Sequence, residues 1–207
     1  MVARDWRRAP WYLRYRLGSR WASEVRRRAI HATHLHADVR ITAPVRIGPG
    51  FALDIPDDGT FHVGEACDFR RGFVCEIAGS GRVTIGPHCT FTSHALVQCS
   101  TSIEIGTRCI FGQDLLLADG NHRYRDPDRH LLDQGYEFRP IVIGDGAVVT
   151  SKCTILASIG ERALIGANSV VTRPVPAYCL AVGAPARVVE YFGPPELRPP
   201  ELAGLDV

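Results

Sequence analysis

The chain has 207 residues, a hydrophobic fraction of 45% and a net charge of +2 at neutral pH, which predicts one globular domain with a sizeable core. No apolar run approaches the roughly 18 residues that span a bilayer, and the arginine-rich start lacks the apolar stretch of a secretory signal, so we expect a cytoplasmic protein. The seven cysteines are odd in number and include no C-x-x-C pair, which predicts free thiols and argues against a disulfide framework or a structural zinc site.

Residues 1–30 differ in composition from the rest of the chain. They hold nine arginines against two acidic residues, and all three tryptophans, Trp6, Trp11 and Trp21. We predict a helical segment that caps the open end of the repeats that follow. The alternative is contact with an anionic membrane surface, at the inner face of the membrane, because arginines interleaved with aromatic residues suit such a surface. No fold motif supports binding to nucleic acid.

Residues 31–192 repeat with a period of six. A Val-Gly or Ile-Gly dipeptide recurs along this stretch, and large apolar residues lie six apart, as in Ile85, Phe91, Val97 and Ile103. A helix would show a period of 3.6 and a half-buried strand a period of two. A period of six instead predicts a short strand and a turn, repeated, so that three units form one coil of about eighteen residues in a mainly β, parallel β-helix.

Departures from the period mark coils of different length. Segments 54–60 and 78–82 have the composition of small extruded corners. Ile159 follows Ile155 two residues earlier than the period requires, which predicts a tightened turn at that point.

Three of the cysteines occupy a repeated position. Cys67, Cys89 and Cys109 each follow a Val-Gly or Ile-Gly dipeptide at the same offset. A repeated offset indicates a repeated structural position, and free cysteine packs as a small hydrophobic residue. We therefore predict that these cysteines are core residues.

Residues 118–140 are the largest interruption of the repeats. This stretch is polar, with several aromatic residues, and it contains His122 and His130. Long loops on a rigid repeat scaffold usually carry function, so we expect the active site here, with a purely structural insertion as the alternative. After the repeats, a short strand or helix should cap the stack, and residues 193–207, with four prolines, are predicted to be extended or disordered.

Three motifs occur together in the second half of the repeats. They are Arg139-Pro-Ile-Val-Ile-Gly-Asp145, the stretch 165–176 and Val182-Gly-Ala-Pro-Ala-Arg187. Over roughly residues 83–190 the chain thereby resembles the bacterial hexapeptide-repeat O-acetyltransferases, which include galactoside and maltose acetyltransferases and polysaccharide O-acetylating enzymes. The Asn121-His122 pair, followed by Asp126 and Gln134-Gly135, is similar to the polysaccharide O-acetylating branch.

The resemblance implies a left-handed parallel β-helix and a homotrimer whose active sites lie between neighbouring subunits. It also implies transfer of an acetyl group from acetyl-CoA to a sugar or glycan hydroxyl, without a metal. Such a hydroxyl needs its proton removed as it attacks a thioester, and histidine is suited to that task. The resemblance implies that His122 is this general base and that the backbone N–H of Ser151 stabilises the tetrahedral oxyanion. His130 matches nothing in the family.

The resemblance also implies which residues bind the two substrates. Those along the acetyl-CoA groove would be Ser151, Ala167, Thr172, Arg173 and Arg187. The two arginines would meet phosphates, and Arg187 is the stronger candidate. Those that bind the acceptor would be Asp119, Asn121 and His94. Asp119 is also a candidate to orient His122, and a structural role is the alternative for His94, because related enzymes often carry asparagine near its position.

Two other classes of protein share the predicted fold. A γ-carbonic-anhydrase-like zinc enzyme needs three histidines that converge on one metal. His62, His88 and His94 lie in the repeats, but their spacing does not match that family's pattern. A non-catalytic β-helix scaffold would not need the Asn121-His122 pair or a CoA groove. The motifs within residues 165–187 therefore favour the transferase over both alternatives.

Overall fold

The computed structural model of the protein describes Pro10 and residues 18–202. An α-helix, α1 (Gly18–Thr33), precedes a series of short strands joined by turns. Most of the strands pair in parallel with strands about one coil away in the sequence, so the chain winds into a parallel β-helix with three faces. No helix among the described residues has both the length and the apolar character of a membrane span.

Sheets A, B and C form the three faces, and successive coils add strands to them in turn. Sheet A comprises β1 (Asp38–Ile41), β4 (Thr60–Val63), β7 (Arg82–Ile85), β10 (Ser102–Ile105) and β15 (Ile141–Ile143). Sheet B comprises β2 (Arg46–Ile47), β5 (Asp68–Phe69), β8 (Thr90–Phe91), β11 (Ile110–Phe111), β16 (Val148–Val149), β18 (Leu164–Ile165), β20 (Cys179–Gly183) and β21 (Ala186–Tyr191). Sheet C comprises β3 (Ala52–Asp54), β6 (Val74–Ile77), β9 (Ala95–Cys99), β12 (Leu115–Ala118), β17 (Thr154–Ile155) and β19 (Val170–Val171). A separate two-stranded sheet contains β13 (Gly120–His122) and β14 (Tyr136–Phe138).

The early coils are longer than the predicted eighteen residues. Asp38 pairs with Thr60, and Thr60 pairs with Arg82, so each of these coils advances by 22 residues. The additional residues lie at the corner between sheets C and A, where the predicted extruded segments 54–60 and 78–82 fall.

The late coils are shorter. Ile143 pairs with Ile159, and Ile159 pairs with Val175, so each of these coils advances by 16 residues. The tightened turn that the early arrival of Ile159 predicts is therefore confirmed.

The inside of the coils is filled by the apolar residues that recur every six positions. Phe91, with the other members of its six-residue series, is buried. Its ring lies 5.3 Å from that of Phe69 and 4.4 Å from that of Phe111, with nearly parallel planes. A column of phenylalanine rings thus runs along the stack, with one ring from each of three successive coils.

The predicted cysteine position is confirmed as a buried column. Cys67, Cys89 and Cys109 are free and buried, and they precede paired residues of neighbouring strands in sheet B. Each Sγ lies 3.1–3.2 Å from the carbonyl oxygen of a glycine in the next coil. The thiols therefore fill the corner between sheets A and B, and each contacts a glycine carbonyl oxygen that does not take part in the sheet ladders.

The three faces give the β-helix the outline of a triangular prism. Its three edges are named by the sheets that they join: A–B, B–C and C–A. Tight turns at the A–B and B–C edges include residues with positive φ, a conformation that glycine adopts most easily. Non-glycine residues also adopt it there, among them Arg108 (φ 57°) at the A–B edge and Lys152 (φ 58°) at the B–C edge.

Helix α1 covers the open edge of the first coil. The hydroxyl of Ser23 accepts from the N–H of Ile47 at 3.0 Å, and Arg26 Nη1 donates to the carbonyl of Ile47 at 2.8 Å. Beyond the helix, Nε2 of His34 and of His36 lies 2.9 and 2.6 Å from carbonyl oxygens of the same coil. Residues 18–36 therefore satisfy backbone groups that an uncapped edge would expose. The predictions for Trp6 and Trp11 lie outside the described residues.

The other end of the stack is closed by β21, which pairs antiparallel with β20, so the predicted terminal strand is confirmed. Residues 193–202 differ from the predicted extended tail. They contain two turns of 3-10 helix, Pro195–Leu197 and Pro200–Leu202. Leu202 is buried against the core, and this contact explains why the proline-rich segment is ordered there.

Candidate active site

An extruded arm carries His122. The arm is defined as β13, β14 and the residues between them, and it leaves the stack at the C–A edge, between β12 and β15. Its strands pair antiparallel, with Gly120 opposite Phe138 and His122 opposite Tyr136. A Cβ atom on Gly120 would lie 2.7 Å from the ring of Phe138, so the absence of a side chain there lets the aromatic ring pack on the opposite strand.

The ring of His122 is exposed and has one described ring neighbour. Its centroid lies 4.3 Å from that of Tyr136, with the planes tilted by 38°. The Tyr136 ring in turn stacks on Phe138 at 5.6 Å. No hydrogen bond to the His122 ring occurs among the described residues, so the stack with Tyr136 sets the ring's orientation within one chain.

The side chain of Gln134 ties the loop of the arm together. Its Oε1 accepts from the N–H of Asp126 at 3.0 Å, and its Nε2 donates to the carbonyls of Asp126 and Arg129 at 2.9 and 3.0 Å. The sequence motif marked Gln134 without giving it a role; the structure assigns it this one. His130 Nδ1 accepts from the N–H of Leu132 at the start of a 3-10 turn, Leu131–Asp133, which is a structural role.

Asp119 lies at the base of the arm, and its side chain stabilises the neighbouring turn between β9 and β10. Its side chain is only 4% exposed. Its carboxylate accepts hydrogen bonds from the N–H groups of Ser100 and Thr101 and from the Thr101 hydroxyl, at 2.6–3.1 Å. It makes no hydrogen bond to His122, so the predicted orienting role is not what this chain shows: the carboxylate is already engaged by the turn of the preceding coil.

Two cavities meet at His122. The edge cavity, of about 210 Å³, is lined among others by Asp119, Asn121, His122 and Thr172. The arginine cavity, of about 370 Å³, is lined by His122, Arg123, Tyr124, Arg125, Asp126, Arg129, Gln134 and Glu137. His122, Tyr124, Arg125 and Glu137 line both cavities, so a molecule in one cavity can extend into the other past the His122 ring.

The residues predicted for the site divide between two edges of the prism. The arm, Thr172 and Arg173 lie on the C–A edge. Asp119 comes directly after β12 and Thr172 comes directly after β19, and both strands belong to sheet C. On the B–C edge are Ser151 and Ala167, which follow the paired strands β16 and β18. The edge continues at the last coil toward Arg187, on β21, whose strand partner is Val182 of β20. His94 also belongs to the B–C edge, in the turn between β8 and β9.

The two edges are separate corners of each coil, with the face of sheet C between them. Between Ser151 and Leu156 the chain turns at Lys152 and then runs along β17 of sheet C, from the B–C edge to the C–A edge. An oxyanion donor must come within about 3 Å of the reacting carbonyl. Within one chain, the face of sheet C lies between the N–H of Ser151 and the edge that carries His122.

The B–C edge has features that suit backbone recognition. The N–H of Ser151 donates no hydrogen bond to any described residue, while its carbonyl accepts from Asn168 at 3.1 Å. Ala167 is exposed and leaves the edge open. His94 has a positive φ of 60°, and its Nδ1 lies 3.4 Å from Asp114 Oδ1.

No protein-family model matches the chain. The chain is 28% identical, over 62% of its length, to a probable acetyltransferase of Mycobacterium tuberculosis, of which it spans 41%. It is 23% identical, over 69% of its length, to an Escherichia coli protein described as a lipopolysaccharide biosynthesis O-acetyl transferase, of which it spans 77%. The structure of a hexapeptide-repeat acetyltransferase of Vibrio cholerae, complexed with acetyl coenzyme A, aligns with 83% of the chain and 79% of its own chain, at 20% identity and a TM-score of 0.50.

These comparisons agree with the motifs. The similarity in structure confirms the predicted left-handed parallel β-helix, and the relatives in sequence confirm the predicted resemblance. The chain is thus a left-handed parallel β-helix protein that resembles the hexapeptide-repeat acetyltransferases in fold and in sequence.

Proposed function

We propose that the chain is an acetyltransferase that moves an acetyl group from acetyl-CoA to a hydroxyl of a sugar or glycan. The observation that carries this proposal is the position of His122, which is exposed on an extruded arm, between two cavities, with its ring held by Tyr136. The similarity to acetyltransferases supports the reaction class, and the similarity to an enzyme described for lipopolysaccharide biosynthesis supports a glycan acceptor.

In this mechanism His122 takes the proton of the acceptor hydroxyl as the oxygen attacks the thioester carbonyl carbon. The negative charge that develops on the carbonyl oxygen is stabilised by the N–H of Ser151. When the carbon–sulfur bond breaks, the proton held by His122 passes to the departing thiolate of CoA. Ala167 and Thr172 leave room for the pantetheine part of acetyl-CoA, while Arg173 and Arg187 suit the phosphates of the same molecule. Asn121, Asp119 and His94 remain the candidates for acceptor contacts.

We propose that the active protein is a homotrimer, because the two halves of the site lie on different edges of one chain. If sheet A of one subunit packs on sheet B of the next, the C–A edge of the first faces the B–C edge of the second. His122 then meets Ser151 of a different subunit. The outward column of sheet B supports such packing, since its late members are apolar. These members are Ile110, Val148, Leu164 and Leu180.

We also propose peripheral contact with an anionic membrane through the outer face of α1. Trp21 is 75% exposed and Val25 47% exposed on the face turned away from the first coil, and Arg28 is exposed beside them. Such a face suits an anionic lipid surface. Full-length protein should therefore sediment with anionic vesicles at low salt, and Trp21→Ala with Val25→Ala should weaken this. A protein that ignores such vesicles would exclude this contact.

The test of the transferase proposal is an acceptor screen with acetyl-CoA, in which release of free CoA and the mass of the product are both measured. A mass increase of one acetyl group on a sugar, lost in His122→Ala, would support it. Metal analysis of the purified protein addresses the zinc-enzyme alternative, although His62, His88 and His94 lie on sheet A, the A–B edge and the B–C edge of one chain. A protein that does not bind acetyl-CoA would support the scaffold alternative.

A further inference from the structure

The arginine cavity beside His122 holds positive charge that the transfer reaction does not use. Three arginines line it, Arg123, Arg125 and Arg129. The same cavity holds two carboxylates, from Asp126 and Glu137. The balance of these groups determines which acceptors the cavity favours.

Both carboxylates have other partners. Glu137 pairs with Arg139, which lines the edge cavity, and this guanidinium holds the pKa of the Glu137 carboxyl below its usual value. The positive charges of Arg123 and Arg125 lower that pKa further. Asp126 Oδ1 accepts from the N–H of Asp128 at 3.1 Å.

Two of the guanidinium groups have no such partner. Arg129 donates to the carbonyl of Asp133 within the loop. Among the described residues, no carboxylate lies within ion-pair distance of Arg123 or Arg125. The Arg125 guanidinium lies 5.7 Å from the centre of the Tyr124 ring, a contact that limits its orientations. The cavity therefore offers two guanidinium groups beside the proposed general base.

We infer that the acceptor is a sugar attached through a phosphate or diphosphate, with this group bound by Arg123 and Arg125. The inference rests on the proposed function, since it takes His122 as the base. Guanidinium groups bind phosphate oxygens through paired, charge-assisted hydrogen bonds, and two of them match a multiply charged group. Because His122 and Arg125 line both cavities, a sugar hydroxyl can lie at His122 while the phosphate lies among the arginines.

The test compares three acceptors that share the sugar identified in the acceptor screen. They are its methyl glycoside, its nucleoside diphosphate ester and its diphosphate ester with a short prenyl alcohol. We expect kcat/KM to be at least about tenfold higher for a phosphorylated acceptor than for the methyl glycoside, and to fall as salt screens the charges. The comparison of the two phosphorylated acceptors distinguishes a nucleotide-linked sugar from a lipid-linked sugar. Equal kcat/KM for all three acceptors would overturn the inference.

A double variant, Arg123→Gln with Arg125→Gln, links the preference to the cavity. It should lower kcat/KM for the phosphorylated acceptor about tenfold or more and leave the methyl glycoside almost unchanged. Arg40→Gln is the matched control, because Arg40 is exposed on β1 and pairs with Asp38 outside the site. Equal losses for charged and neutral acceptors would contradict the assignment.

A binding measurement separates this inference from the proposed reaction. Calorimetry of the full-length protein with inorganic pyrophosphate, with CoA present to fill the donor groove, should show binding that the double variant loses. If pyrophosphate binds in this way but no acceptor is acetylated, the anion site stands and the transferase proposal is wrong. If acceptors are acetylated but pyrophosphate does not bind, the transferase stands and the anion site is wrong.

Discussion

The ring of His122 lies 4.3 Å from the ring of Tyr136, its partner on the opposite strand of the arm. Because this stack orients His122 within the chain, Tyr136→Ala should lower kcat about tenfold, with little change in the KM for acetyl-CoA. Tyr136→Phe keeps the ring and should retain most of the activity. The ring-proton shifts of His122 in NMR spectra give a second measurement: the alanine variant should lose the ring-current shift and the phenylalanine variant should keep it. Equal kcat in wild type and the alanine variant would contradict this positioning role.

Replacing the proposed base tests the chemistry most directly. We expect His122→Ala to lower turnover by about 10²–10⁴-fold, the usual contribution of a positioned general base. The fold should survive, because the side chain is exposed on the arm and fills no core position. The measurement is steady-state turnover beside the thermal unfolding midpoint, with His130→Ala as the control in the same loop. A His122→Ala enzyme with near-normal turnover would show that another group removes the proton.

Mixing two inactive variants tests whether each site uses two chains. His122→Ala removes the base on the C–A edge, and Ala167→Trp should block the exposed B–C edge. If the site joins the two edges of different subunits in a closed trimer, co-assembly of equal amounts should restore about a quarter of wild-type activity. Each variant alone should remain inactive. Light scattering gives the oligomeric state; mixed trimers without recovered activity would place both groups in one chain.

Arg187 should affect donor binding more than chemistry. We expect Arg187→Ala to raise the KM for acetyl-CoA more than it lowers kcat, because a phosphate contact far from the reacting carbonyl contributes similarly in the ground and transition states. Initial rates at varied acetyl-CoA and at varied acceptor separate the two effects. A change confined to the KM for the acceptor would assign Arg187 to the other substrate.

Asp119 should matter for stability before it matters for catalysis. Asp119→Ala removes the acceptor of the Ser100 and Thr101 N–H groups in a buried corner, which should destabilise the fold by roughly 2–4 kcal/mol. Denaturant unfolding measures this, and Asp128→Ala, in the exposed loop, is the control. A variant with unchanged stability but much lower kcat would instead indicate direct contact with substrate.

The stack was predictable from the sequence because its determinants are local. One inward apolar residue every six positions fixes the coil, so the buried series around Phe91 and the cysteine column both follow from spacing alone. The early arrival of Ile159 likewise shortens its coil in the structure.

The site was less predictable because its contacts join distant parts of the chain. Asp119 bonds to a turn 18 and 19 residues earlier, and only the coil register brings them together. The partnership of His122 with Tyr136 depends on the register of a hairpin whose two strands are only three residues long, too short to show a period in the sequence. The sequence also does not show which turn forms which edge of the β-helix. The division of the predicted site residues between two edges therefore appears only in the structure.

The two ends of the β-helix are both covered by segments that do not belong to the repeats. A parallel β-helix ends in unpaired ladder groups that could template another chain. Here Ser23 and Arg26 occupy those of Ile47 at one end, and the antiparallel β21 reverses the ladder at the other. These contacts reduce the unpaired backbone groups at the two ends, and so they oppose the end-to-end association of one stack with another.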